Sequence, residues 1–217
     1  MLFRDRSEAG TALGQALAGN TLAQEAGNAV VIGLPRGGVP LAARSAAVLG
    51  LPFDIILVRK LGAPAQPELA LGAVAEGDVV FVNDSLVQAL DVAPAALERV
   101  IASEEAVLRG RAAAWRGPDG KPADVGGRTV IVVDDGIATG ATMRVALQAL
   151  RQQGAAVLVA AAPVGSAEAV AALAGIADDV VCLHTPEPFR AVGEWYGDFR
   201  QVSDDEVAGL LQGRSAS

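Results

Sequence analysis

Thr129-Val130-Ile131-Val132-Val133-Asp134-Asp135-Gly136-Ile137-Ala138-Thr139-Gly140-Ala141-Thr142 is the stretch that decides the fold of this 217-residue sequence. β-Branched residues fill 129–133 with no alternation of polar and apolar positions. Runs of this kind form strands buried on both faces, as in parallel sheets. Two carboxylates follow at once, then a loop of small residues and threonines. Over residues 141–153 the apolar spacing becomes helical, and Gly154 stops it. A buried strand that turns through a Gly-containing loop into a helix is the repeating unit of an α/β sheet.

The same unit recurs on either side. Residues 29–34 form a short apolar run that ends in Pro35-Arg36-Gly37-Gly38. A helix then starts near Val39-Pro40, where proline's missing N–H costs nothing, and runs to Gly50. Residues 54–58 are expected as a second buried strand closed by Arg59-Lys60, and the breaker-rich residues 61–68 as a loop. Residues 72–76 and 79–82 flank Gly77-Asp78 and predict a hairpin. Residues 94–115 predict one long helix and 116–127 a loop. Strands are expected at 156–162 and 179–183, around a short helix at 167–174 capped by Ser166. A helix is also expected at 7–18. Alternating strands and helices imply an α/β fold: a doubly wound, mostly parallel sheet flanked by helices. Its ligands should bind at the carboxyl ends of the strands. The core domain is expected over residues 1–184. The tail, 185–217, differs in composition: Phe189, Trp195, Tyr196 and Phe199 are four of the eight aromatics in the chain.

Composition narrows the function classes. Apolar residues make up 52% of the chain and the formal charge is −8, with a pI near 4.7. An acidic chain does not offer the clustered Lys and Arg that a nucleic-acid backbone requires, although a local basic pocket for a small anion is compatible with it. One cysteine, Cys182, excludes an intramolecular disulfide and a cysteine-based zinc site. Cys182 is expected as a small buried hydrophobe, and the lone His184 as a surface or capped residue. The start of the chain lacks the apolar segment of a signal peptide. The longest apolar run, 155–164, is about half of a membrane span. A soluble, cytoplasmic protein without nucleic-acid or membrane partners is expected.

The decisive loop has two chemical halves. Small residues at 136–142 let backbone N–H groups approach an anion, and the start of a helix adds partial positive charge. Thr139 and Thr142 offer two hydroxyl donors. That half suits a phosphate group. Asp134 and Asp135 would repel a phosphate, so they should face neutral or cationic groups. Vicinal ribose hydroxyls donate to carboxylates, and Mg²⁺ accepts a few carboxylates plus substrate oxygens. A phosphate cradle beside an acidic pair therefore describes a phosphorylated ribose.

This apolar strand, acidic pair and Thr-Gly-x-Thr loop resembles the phosphoribosyl pyrophosphate (PRPP) signature of the type I phosphoribosyltransferases. Leu34-Pro35-Arg36-Gly37-Gly38 resembles the family's pyrophosphate loop, which often contains a strained or cis peptide. Arg59-Lys60 is similar to the basic pair before the flexible loop of orotate phosphoribosyltransferases. The resemblance spans about 30–184 and extends to a group of predicted bacterial phosphoribosyltransferases of unassigned acceptor. It implies transfer of ribose-5-phosphate from PRPP to a nitrogenous acceptor, such as a nucleobase, with release of pyrophosphate. It implies Mg²⁺ as cofactor, a place in nucleotide metabolism and a homodimer. Asp134 and Asp135 would meet the ribose hydroxyls and the metal. Ala138, Thr139, Gly140, Ala141 and Thr142 would hold the 5-phosphate. Arg36 and Gly37 would hold pyrophosphate, with Arg59 and Lys60 as the catalytic cations. Residues 61–71 would be the lid, with 116–127 as a rival beside Arg109, Arg111 and Arg116. The tail 185–217, above all its aromatic part 189–199, would be a small C-terminal hood over the acceptor, or else a segment packed on the core.

Two departures stand out. The hypoxanthine–guanine enzymes carry an acid where this chain has Ala138, which weakens a 6-oxopurine assignment. Residues 84–127 are longer than compact family members need. A non-catalytic PRPP-binding regulator is the competing class. A response-regulator-like phosphoacceptor would also place acids at strand ends, but explains neither the Thr-Gly-x-Thr loop nor residues 35–38.

Overall fold

The computed structural model describes residues 3–24, 28–117 and 120–213. The elements in chain order are α1 (Arg6–Ala18), α2 (Thr21–Gln24), β1 (Ala29–Gly33), α3 (Gly38–Leu49), β2 (Phe53–Ile55), β3 (Val58–Ala63), β4 (Gln66–Ala75), β5 (Val79–Val82), α4 (Asp84–Ala89), α5 (Pro94–Arg116), β6 (Thr129–Val133), α6 (Ala141–Gln152), β7 (Val157–Val164), α7 (Ala167–Leu173), β8 (Asp179–His184) and α8 (Asp204–Gly213). A short 3₁₀ turn, Val192–Trp195, interrupts the tail. The chain forms two compact units, residues 1–56 with 121–217, and residues 57–120. The tail from Thr185 groups with the first unit.

The first unit is an α/β layer. Its five strands lie in the order β2-β1-β6-β7-β8, and every neighbouring pair is parallel. All five residues of β1 and of β6 are buried, as their unbroken apolar runs require. Val31, Ile131, Val133, Val159 and Ala161 form one core with Leu13 and Leu17 of α1 and with Leu41 and Ala46 of α3. Side chains alternate across a strand, so Val130, Val132, Leu158 and Ala160, which are also buried, face the opposite side. There α6 packs on β6 and β7 and buries Met143, Leu147 and Leu150. Each fully buried Val or Ile contributes roughly 1.5–3 kcal/mol, so the sheet holds both loop-bearing strands firmly. The chain winds from β1 outward to β2 on one side, and from β6 outward to β7 and β8 on the other. The switch point lies between β1 and β6, and the crevice outside their carboxyl ends is where such sheets bind ligands.

The second unit is a three-stranded antiparallel sheet in the order β3-β4-β5. It buries Leu61, Leu71 and Val74, with α5 packed on β3 and β4. The expected hairpin at Gly77-Asp78 is present between β4 and β5. Both turn residues have positive φ, 84° and 57°.

Two sequence expectations change here. Residues 54–58 are not one strand: β2 ends at Ile55, and Arg59 and Lys60 lie inside β3 of the other sheet. Ile56 and Leu57 are buried, so an unbroken apolar run gives no sign that one sheet ends and another begins. The expected loop at 61–68, within the candidate lid 61–71, lies in the β3–β4 hairpin, which turns at Pro64-Ala65. Residues 118 and 119, inside the rival lid, lie outside the described residues. Arg116, expected beside that lid, is instead the last residue of α5. Its side chain is fully enclosed against Glu76, with Nη2 3.1 Å from Oε2.

Candidate functional site

β1 and β6 deliver the two singled-out loops to the same crevice. Leu34 donates its N–H to the Val133 carbonyl at 2.9 Å, which ties the first loop to the end of β6. The Pro35–Arg36 peptide is cis. Gly37 and Gly38 are required by space. A Cβ on Gly37 would overlap Asp135 Oδ2, and one on Gly38 would overlap the Val133 carbonyl oxygen. The loop with Arg36 and the acidic pair are therefore in direct contact. Residues from chain positions about 100 apart meet because β1 and β6 are sheet neighbours.

Beyond the acids, the loop is pinned on its far side. Ile137 donates to the Val164 carbonyl at 2.9 Å and accepts from Ser166 N–H at 2.8 Å. Ser166 Oγ donates to the Ala138 carbonyl at 2.8 Å and also accepts from Ala169 N–H at 3.2 Å. The expected helix cap is thus also a brace for the phosphate loop. Gly140 has φ +71°, a left-handed conformation that L side chains seldom adopt, and α6 starts at the next residue. Ala138, Thr139, Ala141 and Thr142 are exposed. Together with Asp134 and Gly136 they border a cavity of about 130 Å³. The first N–H groups of α6 have no intrahelical acceptors, so this cavity offers backbone donors and the positive end of a helix to an anion. α3 starts at Gly38 beside it and offers a second helix start.

The carboxylates are not equivalent. Asp134 accepts from the Asp135 N–H at 2.8 Å. Burial, reinforced by the neighbouring Asp135 charge, pushes its carboxyl well above the usual carboxylate range. Asp135 is also pushed up by burial, although Arg6 opposes the shift. Arg6 Nε and Nη2 donate to the same Oδ2 of Asp135, at 3.0 and 2.8 Å. Tyr196 donates its hydroxyl to the Asp135 carbonyl at 2.6 Å. Burial and the acidic neighbours hold that phenol protonated.

Sequence reasoning missed Arg6. It opens α1, 129 positions from Asp135, and nothing local marks it beyond a charge after the helix cap Asp5, which accepts from Glu8 N–H at 2.8 Å. The aromatic tail contributes here too. Tyr196 is buried, Phe189 and Trp195 pack on the core, and Phe199 stacks on the Arg6 guanidinium, 4.1 Å from ring centroid to Cζ. A Cβ on Gly136 would strike the Val192 side chain, so the tail lies directly on the acidic end of the loop.

The remaining cations are committed to carboxylates. Arg36 has a long contact with Asp204 of α8, 3.4 Å, at the surface. In the second unit, Arg59 pairs with Glu104 of α5 at 2.6 Å. Lys60 pairs with the exposed Glu68 at 3.0 Å. Both border a groove of about 490 Å³ between the β3–β4 hairpin and α5. Cys182 is half-buried and donates to the His184 carbonyl at 3.3 Å; burial pushes its thiol up. The His184 ring lies 5.8 Å from Phe3. No helix among the described residues is long and apolar enough to cross a membrane.

Comparison with known proteins agrees with this geometry. A family profile for the phosphoribosyl transferase domain matches residues 6–192. Two Mycobacterium tuberculosis proteins, from strains H37Rv and CDC 1551, bear the provisional name phosphoribosyl transferase. Each is 48% identical over 212 residues, covering 97% of this chain and 46% of its own length. The chain thus spans about half the length of these relatives. The crystal structure of TT1426 from Thermus thermophilus superposes with a TM-score of 0.85 at 44% identity, covering 98% of this chain and 99% of that one. A ribose-phosphate pyrophosphokinase from Methanopyrus kandleri is 46% identical over 76 residues, 33% of this chain and 26% of its own. The profile match over residues 6–192, on a parallel sheet whose β6 ends in the acidic pair and the Thr-Gly-x-Thr loop, makes this chain a member of the type I phosphoribosyltransferase family.

Proposed function

We propose that this chain binds PRPP at the switch point between β1 and β6 and transfers its ribose-5-phosphate to a nitrogenous acceptor, releasing pyrophosphate. The observation that carries this is the contact between Gly37 and the Asp135 carboxylate. It puts the candidate pyrophosphate loop and the candidate ribose-phosphate loop in one crevice, as a donor with phosphates at both ends of a ribose requires. The stretch shared with a ribose-phosphate pyrophosphokinase supports the same donor.

The proposed division of labour is as follows. Ala138, Thr139, Gly140, Ala141 and Thr142 surround the 5-phosphate with N–H and hydroxyl donors. Asp134 and Asp135 accept from the ribose hydroxyls. Arg36 and the N–H groups at Gly37 face the pyrophosphate, and Arg36 exchanges its long contact to Asp204 for a phosphate oxygen. Arg59 and Lys60, the proposed catalytic cations, would have to give up Glu104 and Glu68 before either could meet a phosphate oxygen. Leaving-group stabilisation by such donors, together with alignment of the acceptor, is the main source of rate in this chemistry. Among the described residues no group of three or more His, Cys, Asp or Glu side chains is arranged to hold a metal. Asp134 and Asp135 would hold a Mg²⁺ ion brought in with the substrate, and the ion would neutralise charge on the leaving group. The tail from Thr185, which lies on Gly136, covers the acceptor side. Ala138 leaves the acceptor without a side-chain acid at that point of the loop.

The deciding experiment incubates the protein with PRPP, Mg²⁺ and a panel of nucleobases and small amines, and measures pyrophosphate. Acceptor-dependent pyrophosphate release is expected. Tight PRPP binding with no release for any acceptor would place the chain in the regulator class.

A further inference from the structure

We propose that Arg6 is a positioning residue of the ribose site: it holds the Asp135 carboxylate by one oxygen and leaves the other to accept from the ribose. This rests on the ribose assignment above. Arg6 approaches Asp135 with Nε and Nη2, and both donate to Oδ2. Two charge-assisted donors converging on one oxygen pin that oxygen more firmly than a single contact would. Oδ2 is also the oxygen nearest the position a Gly37 Cβ would occupy, so glycine and arginine together determine which oxygen is turned inward. Oδ1 receives no bond from Arg6 and is the oxygen proposed for the ribose. The arginine and the carboxylate are 11% and 15% exposed, so the pair is shielded from the water and salt that weaken surface ion pairs.

Arg6 is itself held by both ends of the chain. Phe3 N–H donates to the Trp195 carbonyl at 2.9 Å, and Gly197 and Asp198 N–H groups donate to the Phe3 and Arg4 carbonyls, each at 2.7 Å. This short backbone zipper places Tyr196 and Phe199 beside α1. Arg6 Nη1 donates to the Arg200 carbonyl at 2.8 Å, and Phe199 covers the guanidinium face. All three nitrogens of the fork are thus assigned. A lysine carries the same charge but cannot reproduce the fork. The arrangement gives residues 3–6 and 195–200 a task at the ribose: they present one arginine to the second carboxylate of the signature.

The test compares two ligands by calorimetry, ribose 5-phosphate and pyrophosphate. Arg6→Gln should weaken ribose 5-phosphate roughly ten- to a hundredfold and leave pyrophosphate within about twofold. Arg6→Lys should recover only part of the loss. In an Asp135→Asn background, Arg6→Gln should add little, because both changes act on one interaction. Phe199→Ala removes the partly exposed ring that covers the Arg6 guanidinium and should weaken ribose 5-phosphate about two- to fivefold in the same selective way. It stands in if Arg6→Gln does not fold. Equal weakening of both ligands in Phe199→Ala or Arg6→Gln would reduce the pair to a structural brace and overturn the proposal. Unchanged ribose 5-phosphate affinity in both variants would also overturn it. If the unmodified protein binds no ribose 5-phosphate, the ribose assignment fails and takes this inference with it, an outcome distinct from the other two.

Discussion

The loop at residues 134–142 and the basic pair Arg59-Lys60 are both expected from sequence to hold phosphate groups, yet they are made differently. The loop is built from backbone. β6 fixes its entry, Ser166 and Val164 brace its middle, and α6 supplies donors at its exit. Few of its parts are charged and few can move. The basic pair is built from long side chains on β3, and each cation already has a carboxylate, Glu104 or Glu68. The first region already borders a cavity with its donors in place. The second becomes a site only when two ion pairs are exchanged. A local pattern marks the first kind, whereas the second depends on partners 8 and 45 residues away.

That contrast can be broken or sharpened by substitution. Gly37→Val should have the largest effect. Its Cβ would displace the Asp135 carboxylate, and overpacking at such a contact costs about 1–3 kcal/mol, so PRPP affinity should fall up to roughly a hundredfold by calorimetry. Thr142→Ala should weaken ribose 5-phosphate about tenfold by deleting one hydroxyl donor to a charged group, with pyrophosphate binding unchanged. Arg36→Ala should weaken pyrophosphate about fivefold and ribose 5-phosphate much less; equal losses would contradict its assignment. Asp134→Asn should raise unliganded stability by about 1 kcal/mol at neutral pH while reducing PRPP affinity. The sign follows from the upward shift at Asp134. A carboxyl whose folded pKa lies above its unfolded value carries no penalty at pH below the unfolded value. The penalty grows as pH rises from the unfolded value and levels off above the folded one. The stabilisation should therefore vanish in melts below the ordinary carboxylate pKa of about 4. Lys60→Ala should have the smallest effect on stability, under about 0.5 kcal/mol, because both members of its pair are exposed. A larger loss there would show that the basic pair is structural.

Much of the fold was legible because the buried strands are apolar without alternation and each loop-bearing strand ends in a distinctive turn. Residues 29–34 and 129–133 correspond to β1 and β6, and the helices after them start and stop near the expected glycines. The boundary between β2 and β3 was not legible, since residues 55–58 are an unbroken apolar run that crosses it. The hairpin at 61–71 was hidden by Gly62, Pro64 and Pro67, which resemble loop residues and sit in or beside a strand pair with shifted register. At the site, the acidic pair and the phosphate loop are local and could be found. Arg6, Tyr196 and Phe199 gather around Asp135 from the two ends of the chain, and only the tertiary fold brings them there. The aromatic enrichment of the tail was a visible signal, but it could not show that Phe199 would meet a cation of α1.

The most direct test of the central claim is calorimetric titration of PRPP in Mg²⁺ into the native protein and into Asp134→Asn/Asp135→Asn. The account predicts saturable binding to the native protein and an affinity at least about tenfold lower for the folded double variant, since two charged acceptors for the ribose are lost. Equal affinity in the two proteins would contradict the assignment of this loop to ribose-5-phosphate.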